Sequence, residues 1–324
     1  MLDAIIEESG RFGDAYDEGS IRDELNGVMS DVFEREVLAY PVLTGTAANS
    51  LSLATLCDPW GGVICSESAH ILVDECGAPE FFGGGLRLVP VRNRDDLMNP
   101  KAIADVIERS GEHDVHNTPL QVLSITNLNE AGRALSASET SELADVARAH
   151  GLNVHLDGAR FANAVVATGS TPAELTWRSG VDVMSFGGTK NGGLMAEAVI
   201  LFDSARADEL ERRRKRTGQL FSKMRFVTVQ LLAQLRDGVW LTHAAHANEM
   251  ASRLAAGLGA ASPDGNELFV EIPIVTAQKW RAEGAEFYDS PTPAGRVVRL
   301  VTSWSTTAAE VDAFVEMAEM GEKP

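Results

Sequence analysis

Short apolar runs of strand length alternate with helical patterns through the first two thirds of the chain. The runs fall at residues 62–65, 87–91, 121–125, 153–156, 182–186 and 198–202, and such alternation predicts βαβ units around a parallel sheet. Residues 138–150 read as a capped helix, with Ser138 at the first turn, acidic residues behind it and Gly151 at its end. After Lys223 the texture changes to long helical stretches, 226–236 and 240–258, followed by strand patterns at 268–272, 287–288 and 297–302. The expected architecture is therefore α/β, a large mostly parallel-sheet domain over residues 1–238 with a smaller C-terminal α+β domain over 239–324. No internal repeat, heptad or low-complexity segment interrupts this pattern.

The 324 residues are 44% hydrophobic, enough for one large core and a smaller one. A formal charge of −19 repels a phosphate backbone, so nucleic acid is not an expected partner. The one dense basic run, Arg212 to Arg216, reads by default as a solvated helix face. Cys57, Cys65 and Cys76 form neither a CxxC pair nor a dense even framework, which argues for reduced thiols and against a zinc site or structural disulfides. The N-terminus is acidic where a signal peptide is basic, and no apolar run approaches the roughly 18 residues of a membrane span. A cytoplasmic protein without membrane partners is the expectation.

Three stretches carry candidate chemistry. Residues 44–50, Thr-Gly-Thr-Ala-Ala-Asn-Ser, follow an apolar segment and open a helix, so their free amides can cradle a phosphate, although an ordinary capped helix start reads the same way. Residues 153–160 deliver Asp157 to the carboxyl end of a strand, where ligands of open α/β sheets bind, and set Arg160 three residues on. Asp157 there can pair with a ring nitrogen or simply cap the next helix. Residues 185–193 end a strand in a glycine-rich loop that presents Lys190, bland if the amine reaches solvent and chemically apt if it forms a Schiff base. Asp157 and Lys190 are about one βαβ unit apart, which brings two strand ends to one crevice.

These stretches, with Cys65-Ser66-Glu67-Ser68-Ala69-His70 and Asp74 to Glu80, resemble the low-specificity L-threonine aldolases, pyridoxal 5'-phosphate enzymes of the fold-type I (aspartate-aminotransferase) class within the β-eliminating lyase group. The resemblance runs from about Gly13 to near Val315. It implies cleavage of a β-hydroxy-α-amino acid to glycine and an aldehyde, with Lys190 carrying the cofactor. Asp157 is then the partner of the pyridine nitrogen, and the Gly45-Thr46 turn the phosphate holder. By the same resemblance His70 stacks on the cofactor ring and is the first candidate for proton handling, against the alternative of a packing residue with water as base. Arg160 and Arg299 match arginines near the cofactor oxygen and the substrate carboxylate. Lys215 and Arg225 match phosphate-contacting residues supplied by a neighbouring subunit, which implies a homo-oligomer with shared active sites.

The family pattern begins with an additional N-terminal segment bearing a serine or threonine for the substrate carboxylate, and Met1 falls after it, so truncation, a substitute segment or another way of holding the carboxylate is expected. Residues 126–133 also depart from the family pattern at a loop that reaches the site. Rival readings keep the same lysine and aspartate in a β-eliminating lyase, racemase or aminotransferase, or in a pyridoxal-phosphate-binding protein with little turnover. A nicotinamide enzyme is disfavoured, because Gly83-Gly84-Gly85 does not match GxGxxG after a first strand.

Overall fold

A computed structural model describes residues 1–17, 19–92, 97–110 and 114–320. Seven strands form the main sheet: β1 (Leu38–Val42), β2 (Gly62–Ser66), β3 (Arg87–Val91), β4 (Leu120–Thr126), β5 (Asn153–Gly158), β6 (Val183–Gly187) and β7 (Glu197–Leu201). Their spatial order is β1-β7-β6-β5-β4-β2-β3. Only β7 runs against the rest, pairing antiparallel with both β1 and β6. All the strands expected in this part are present within two residues of their predicted bounds. The sequence pattern does not announce β1, because Pro41 interrupts it; an edge strand tolerates the missing N–H donor.

The helices before the second sheet are α1 (Leu2–Ser9), α2 (Ser20–Phe33), α3 (Gly45–Leu56), α4 (His70–Val73), α5 (Ala78–Phe82), α6 (Pro100–Arg109), α7 (Ala137–Ala149), α8 (Phe161–Thr168), α9 (Ala207–Arg216), α10 (Arg225–Leu235) and α11 (Val239–Gly257). Strand side chains alternate between two faces. On one face Ile64, Leu123, Val154, Leu156, Met184 and Phe186 pack under α2, α7, α8 and α10. There Phe33 meets Phe202 with ring centroids 5.3 Å apart and Phe161 at 6.2 Å. On the other face Val63, Cys65, Val122, Val183 and Val199 pack under α3 and α9. From Ala47 onward α3 is buried on every side. Its Ser52 and Thr55 hydroxyls donate back to the carbonyls of Ala48 and Leu51, both at 2.7 Å, which satisfies them without water.

Helix α7 starts one residue earlier than the pattern suggests, and the cap is Ser136, not Ser138. The Ser136 hydroxyl accepts from Glu139 N at 3.2 Å while the Glu139 carboxylate accepts from Ser136 N at 2.9 Å, a reciprocal capping box.

The second sheet is antiparallel, β8 (Glu267–Ile272), β10 (Arg296–Val301) and β9 (Tyr288–Pro291) in that order. With α12 (Ile274–Ala282), α13 (Ala308–Met320) and the distal half of α11 it encloses a third apolar cluster around Leu254, Leu268, Trp280 and Val298. Helix α11 belongs to both cores, since Trp240 and Ala244 near its start lie in the large-sheet cluster. Among the described residues no helix is long and apolar enough to cross a membrane.

Candidate active site

Because β1, β2, β4, β5 and β6 run the same way, their carboxyl ends share one edge of the sheet. The chain leaves those ends at Thr44-Gly45, His70, Glu130, Asp157 and Lys190, so residues far apart in the sequence are gathered at one place by topology alone. The antiparallel β7 begins at that same edge and brings Glu197 beside Gly187.

At the end of β1 the Thr44 hydroxyl accepts from Ala47 N at 3.1 Å and caps α3. The N–H groups of Gly45 and Thr46 lie in the first turn, where no helical carbonyl is available to them, and a Cβ on Gly45 would meet nothing within 4 Å. First-turn amides without a helical partner, beside open space, suit an anionic group.

Asp157 is 3% exposed at the end of β5. Its Oδ1 accepts from Ala159 N at 3.0 Å and its Oδ2 from Asn49 Nδ2 at 2.8 Å. The same Asn49 nitrogen lies 2.9 Å from Glu75 Oε1, and that oxygen lies 2.8 Å from His70 Nδ1. The hydrogen bond to Glu75 raises the His70 pKa above its ordinary value, against the opposing effect of burial. The His70 backbone N–H donates to Glu130 Oε1 at 3.0 Å, which sets the ring at the start of α4. Burial raises the Glu130 carboxyl pKa. Two residues before Asp157 on the same sheet face, His155 bridges the hydroxyls of Ser124 (2.9 Å) and Ser185 (3.1 Å), and complete burial pushes its pKa down to about 4. It is a neutral strut.

Lys190 sits in a short 3-10 turn directly after β6 and reaches solvent at the sheet edge. The protein packed around its stem, and then the Arg160 guanidinium, lower its ammonium pKa, as a nucleophilic amine requires. The turn itself is pinned. Thr189 N donates to Glu197 Oε1 at 3.2 Å, Gln234 Nε2 to Gly188 O at 2.7 Å, and Asn191 Nδ2 to Trp240 O at 2.7 Å. A Cβ on Gly187 would collide with the Ala159 carbonyl, so only glycine lets β6 approach the Asp157 loop this closely. Burial raises the Glu197 pKa to about 7.

Arg160 and Arg299 also meet, through a residue to which the sequence reading gives no role. Arg160 Nη2 lies 2.8 Å from the Glu267 carboxylate and Arg299 Nη1 lies 3.7 Å from it, with Glu267 only 2% exposed. Both guanidiniums keep a buried Nε without a hydrogen-bond partner. Arg299 also lies over the Tyr288 ring at 5.2 Å.

Lys215 and Arg225 make contacts elsewhere in the chain. Lys215 Nζ lies 4.3 Å from the centre of the Tyr16 ring. Arg225 Nε lies 2.8 Å from Glu8 and lines a groove of about 750 Å³ between α1, α2 and α10. Within the basic run, Arg212 and Arg213 pair with Asp208 and Glu209 on an exposed face, as a solvated run does. Arg214 departs from that reading. It is fully buried, donating to Asp17 at 2.8 Å and to Pro41 O at 2.9 Å, because the helix lays this one position against β1. All three cysteines are free, and among the described residues no group of three or more His, Cys, Asp or Glu is disposed to hold a metal ion.

Asn49, Glu75, Glu197 and Glu267 have no role in the sequence reading. A detectable signal exists for two of them: Asn49 is a large amide within a run of small residues, and Glu75 follows His70 by little more than one helical turn. Glu197 and Glu267 are identified only by what folds against them.

The chain is similar to known proteins over most of its length. The β-eliminating lyase family matches residues 9–267. A low specificity L-threonine aldolase of Pseudomonas sp. is 39% identical over 287 residues, covering 86% of this chain and 82% of its own. The low specificity L-threonine aldolase of Pseudomonas aeruginosa is 38% identical over 288 residues with the same shares. A threonine aldolase structure from Leishmania major superposes with a TM-score of 0.91 over 98% of this chain and 94% of its own, at 25% identity, which bears out the expected fold.

Proposed function

The chain belongs to the β-eliminating lyase family, and on that premise we propose that it cleaves a β-hydroxy-α-amino acid of the threonine type, L-threonine or L-allo-threonine, to glycine and an aldehyde with pyridoxal 5'-phosphate. The observation that carries this reading is the meeting of Lys190 and buried Asp157 at neighbouring strand ends of β6 and β5, with the first turn of α3 on the same edge.

The residues fit the cofactor. The Gly45-Thr46 amides lie in the first turn of α3 beside open space that suits its phosphate, Asp157 is a buried carboxylate for its ring nitrogen, and Lys190 is held in a pinned turn. When bound, the cofactor supplies an electron sink for the pair released as a bond to Cα breaks. The protein's own groups decide which bond that is. Arg160 and Arg299 offer buried guanidinium N–H groups for the substrate carboxylate, and fixing the carboxylate fixes the rotation about Cα. His70, with Nδ1 committed to Glu75, has Nε2 left to accept the proton of the β-hydroxyl, after which the Cα–Cβ bond can open to the aldehyde. Lys190, its pKa lowered, is the amine that exchanges places with the substrate amine.

In this reading residues 1–238 hold the cofactor and residues 239–324 contribute Arg299. Lys215 and Arg225 reach the phosphate of a neighbouring copy in a cytoplasmic homo-oligomer. The resemblance supports that arrangement, and mixing Lys190→Ala chains with Arg225→Ala chains tests it, since shared sites recover activity in the mixture. The reaction is tested by product analysis. Equal yields of glycine and acetaldehyde from L-threonine are expected, whereas ammonia with a keto acid would replace cleavage by elimination.

A further inference from the structure

Four side chains form one unbroken hydrogen-bonded path from the half-exposed His70 to the buried Asp157. Its central link is Asn49, 2% exposed on α3, whose single Nδ2 is shared between Glu75 Oε1 at 2.9 Å and Asp157 Oδ2 at 2.8 Å. Glu75 Oε1 in turn takes His70 Nδ1 at 2.8 Å. Two carboxylates brought this close in the interior repel each other unless something between them attracts both. A neutral amide N–H does so. A serine hydroxyl is too short to reach both oxygens, and a carboxylate in its place would add a third anion.

We propose that Asn49 is a positioning residue that holds the Glu75 and Asp157 carboxylates together through one shared amide, and so ties the proton-handling end of the site, His70, to the end that faces the cofactor ring nitrogen. The proposal rests on the functional reading above, because only a bound cofactor ring gives the Asp157 end of this path its role. Other ionisable groups surround the path. Glu130 follows β4, Glu80 lies on α5 against α3, His155 lies beneath Asp157 on β5, and Lys190 and Arg160 contribute positive charge beside Asp157. The two cations do not substitute for Asn49, since no hydrogen bond joins Asp157 to either of them among the described residues, and the Arg160 charge is already shared with Glu267.

The test is Asn49→Asp, which keeps the shape and exchanges the donor for an acid. When ionised, the introduced carboxylate repels both neighbours; when protonated, its O–H restores one donor. Apo protein titrated with pyridoxal phosphate and followed by fluorescence should bind at least about tenfold more weakly than wild type near pH 8, and the gap should close as the pH falls toward 6. Pairing the substitution with Glu75→Gln removes one of the three anions and should recover most of the loss at pH 8, which reads the same coupling if the single variant does not fold. A ratio to wild type that is unity, or that does not change with pH, overturns the bridge, as does failure of Glu75→Gln to alter it. The functional reading fails separately, by absence of binding to the wild-type chain.

Discussion

Arg160 at the start of α8 and Glu267 at the start of β8 are joined 2.8 Å apart in a pair that is 15% and 2% exposed, and Arg299 leans on the same carboxylate from 3.7 Å. One buried anion thus faces two cations, leaving a net positive charge where the start of α8 meets the second sheet. Glu267 draws the two guanidiniums to one place.

Glu267→Gln should therefore raise KM for the amino acid at least tenfold with a smaller change in kcat, because carboxylate binding is spoiled more than the chemistry. Leaving a buried arginine without its anion should also cost about 3–5 kcal/mol in denaturant unfolding. Unchanged KM in the purified variant would contradict this account of the pair.

His70 gives a pH dependence with a defined sign. Its pKa is raised in the folded chain chiefly by the hydrogen bond to Glu75, so the neutral form that accepts a proton at Nε2 is lost as the pH falls through that raised value. kcat/KM should decline on the acid side. Glu75→Gln removes the main cause of the rise and should move that acid limb to lower pH. The His70–Glu75 pair also stabilises the fold, fully below the unfolded histidine value of about 6.5 and progressively less as the pH rises through the folded value. An acid limb that stays in place in Glu75→Gln would remove His70 from the proton-handling role.

The cap of α7 is remote from chemistry and should behave so. Ser136→Ala loses one hydroxyl acceptor of the capping box and should cost about 1 kcal/mol in unfolding while leaving kcat and KM unchanged. Ser138→Ala, on the exposed side of the same turn, should cost less than half as much. Equal losses from the two would contradict the assignment of the cap.

How far the sequence discloses this site follows from how its parts are encoded. Lys190 and Asp157 each sit at the junction of an apolar strand and a loop, a pattern carried by consecutive residues, and the Gly45-Thr46 turn shows as small residues that open a helix after an apolar segment. Glu267 and Glu197 look like ordinary strand residues, and only the folded contacts with Arg160 and Thr189 reveal them. Arg214 is hidden in a basic run for the same reason, since nothing local distinguishes it from Arg212 or Arg213 before β1 and Asp17 close over it. The first strand escapes detection because Pro41 breaks the strand signature and only its edge position makes it acceptable. Element type is legible wherever periodicity carries it, whereas charge partners across the fold are not.

The central claim is that Lys190 carries the cofactor of a carbon–carbon bond cleavage, and one spectroscopic assay reaches it most directly. Wild type and Lys190→Ala are each reconstituted with pyridoxal phosphate, their absorption is recorded into the visible, and L-threonine or L-allo-threonine is then added with acetaldehyde and glycine measured. The account predicts a visible band and stoichiometric aldehyde and glycine from the wild type, and neither the band nor turnover from the variant. A wild-type chain that shows no band after reconstitution, or a Lys190→Ala variant that keeps both band and turnover, would contradict it.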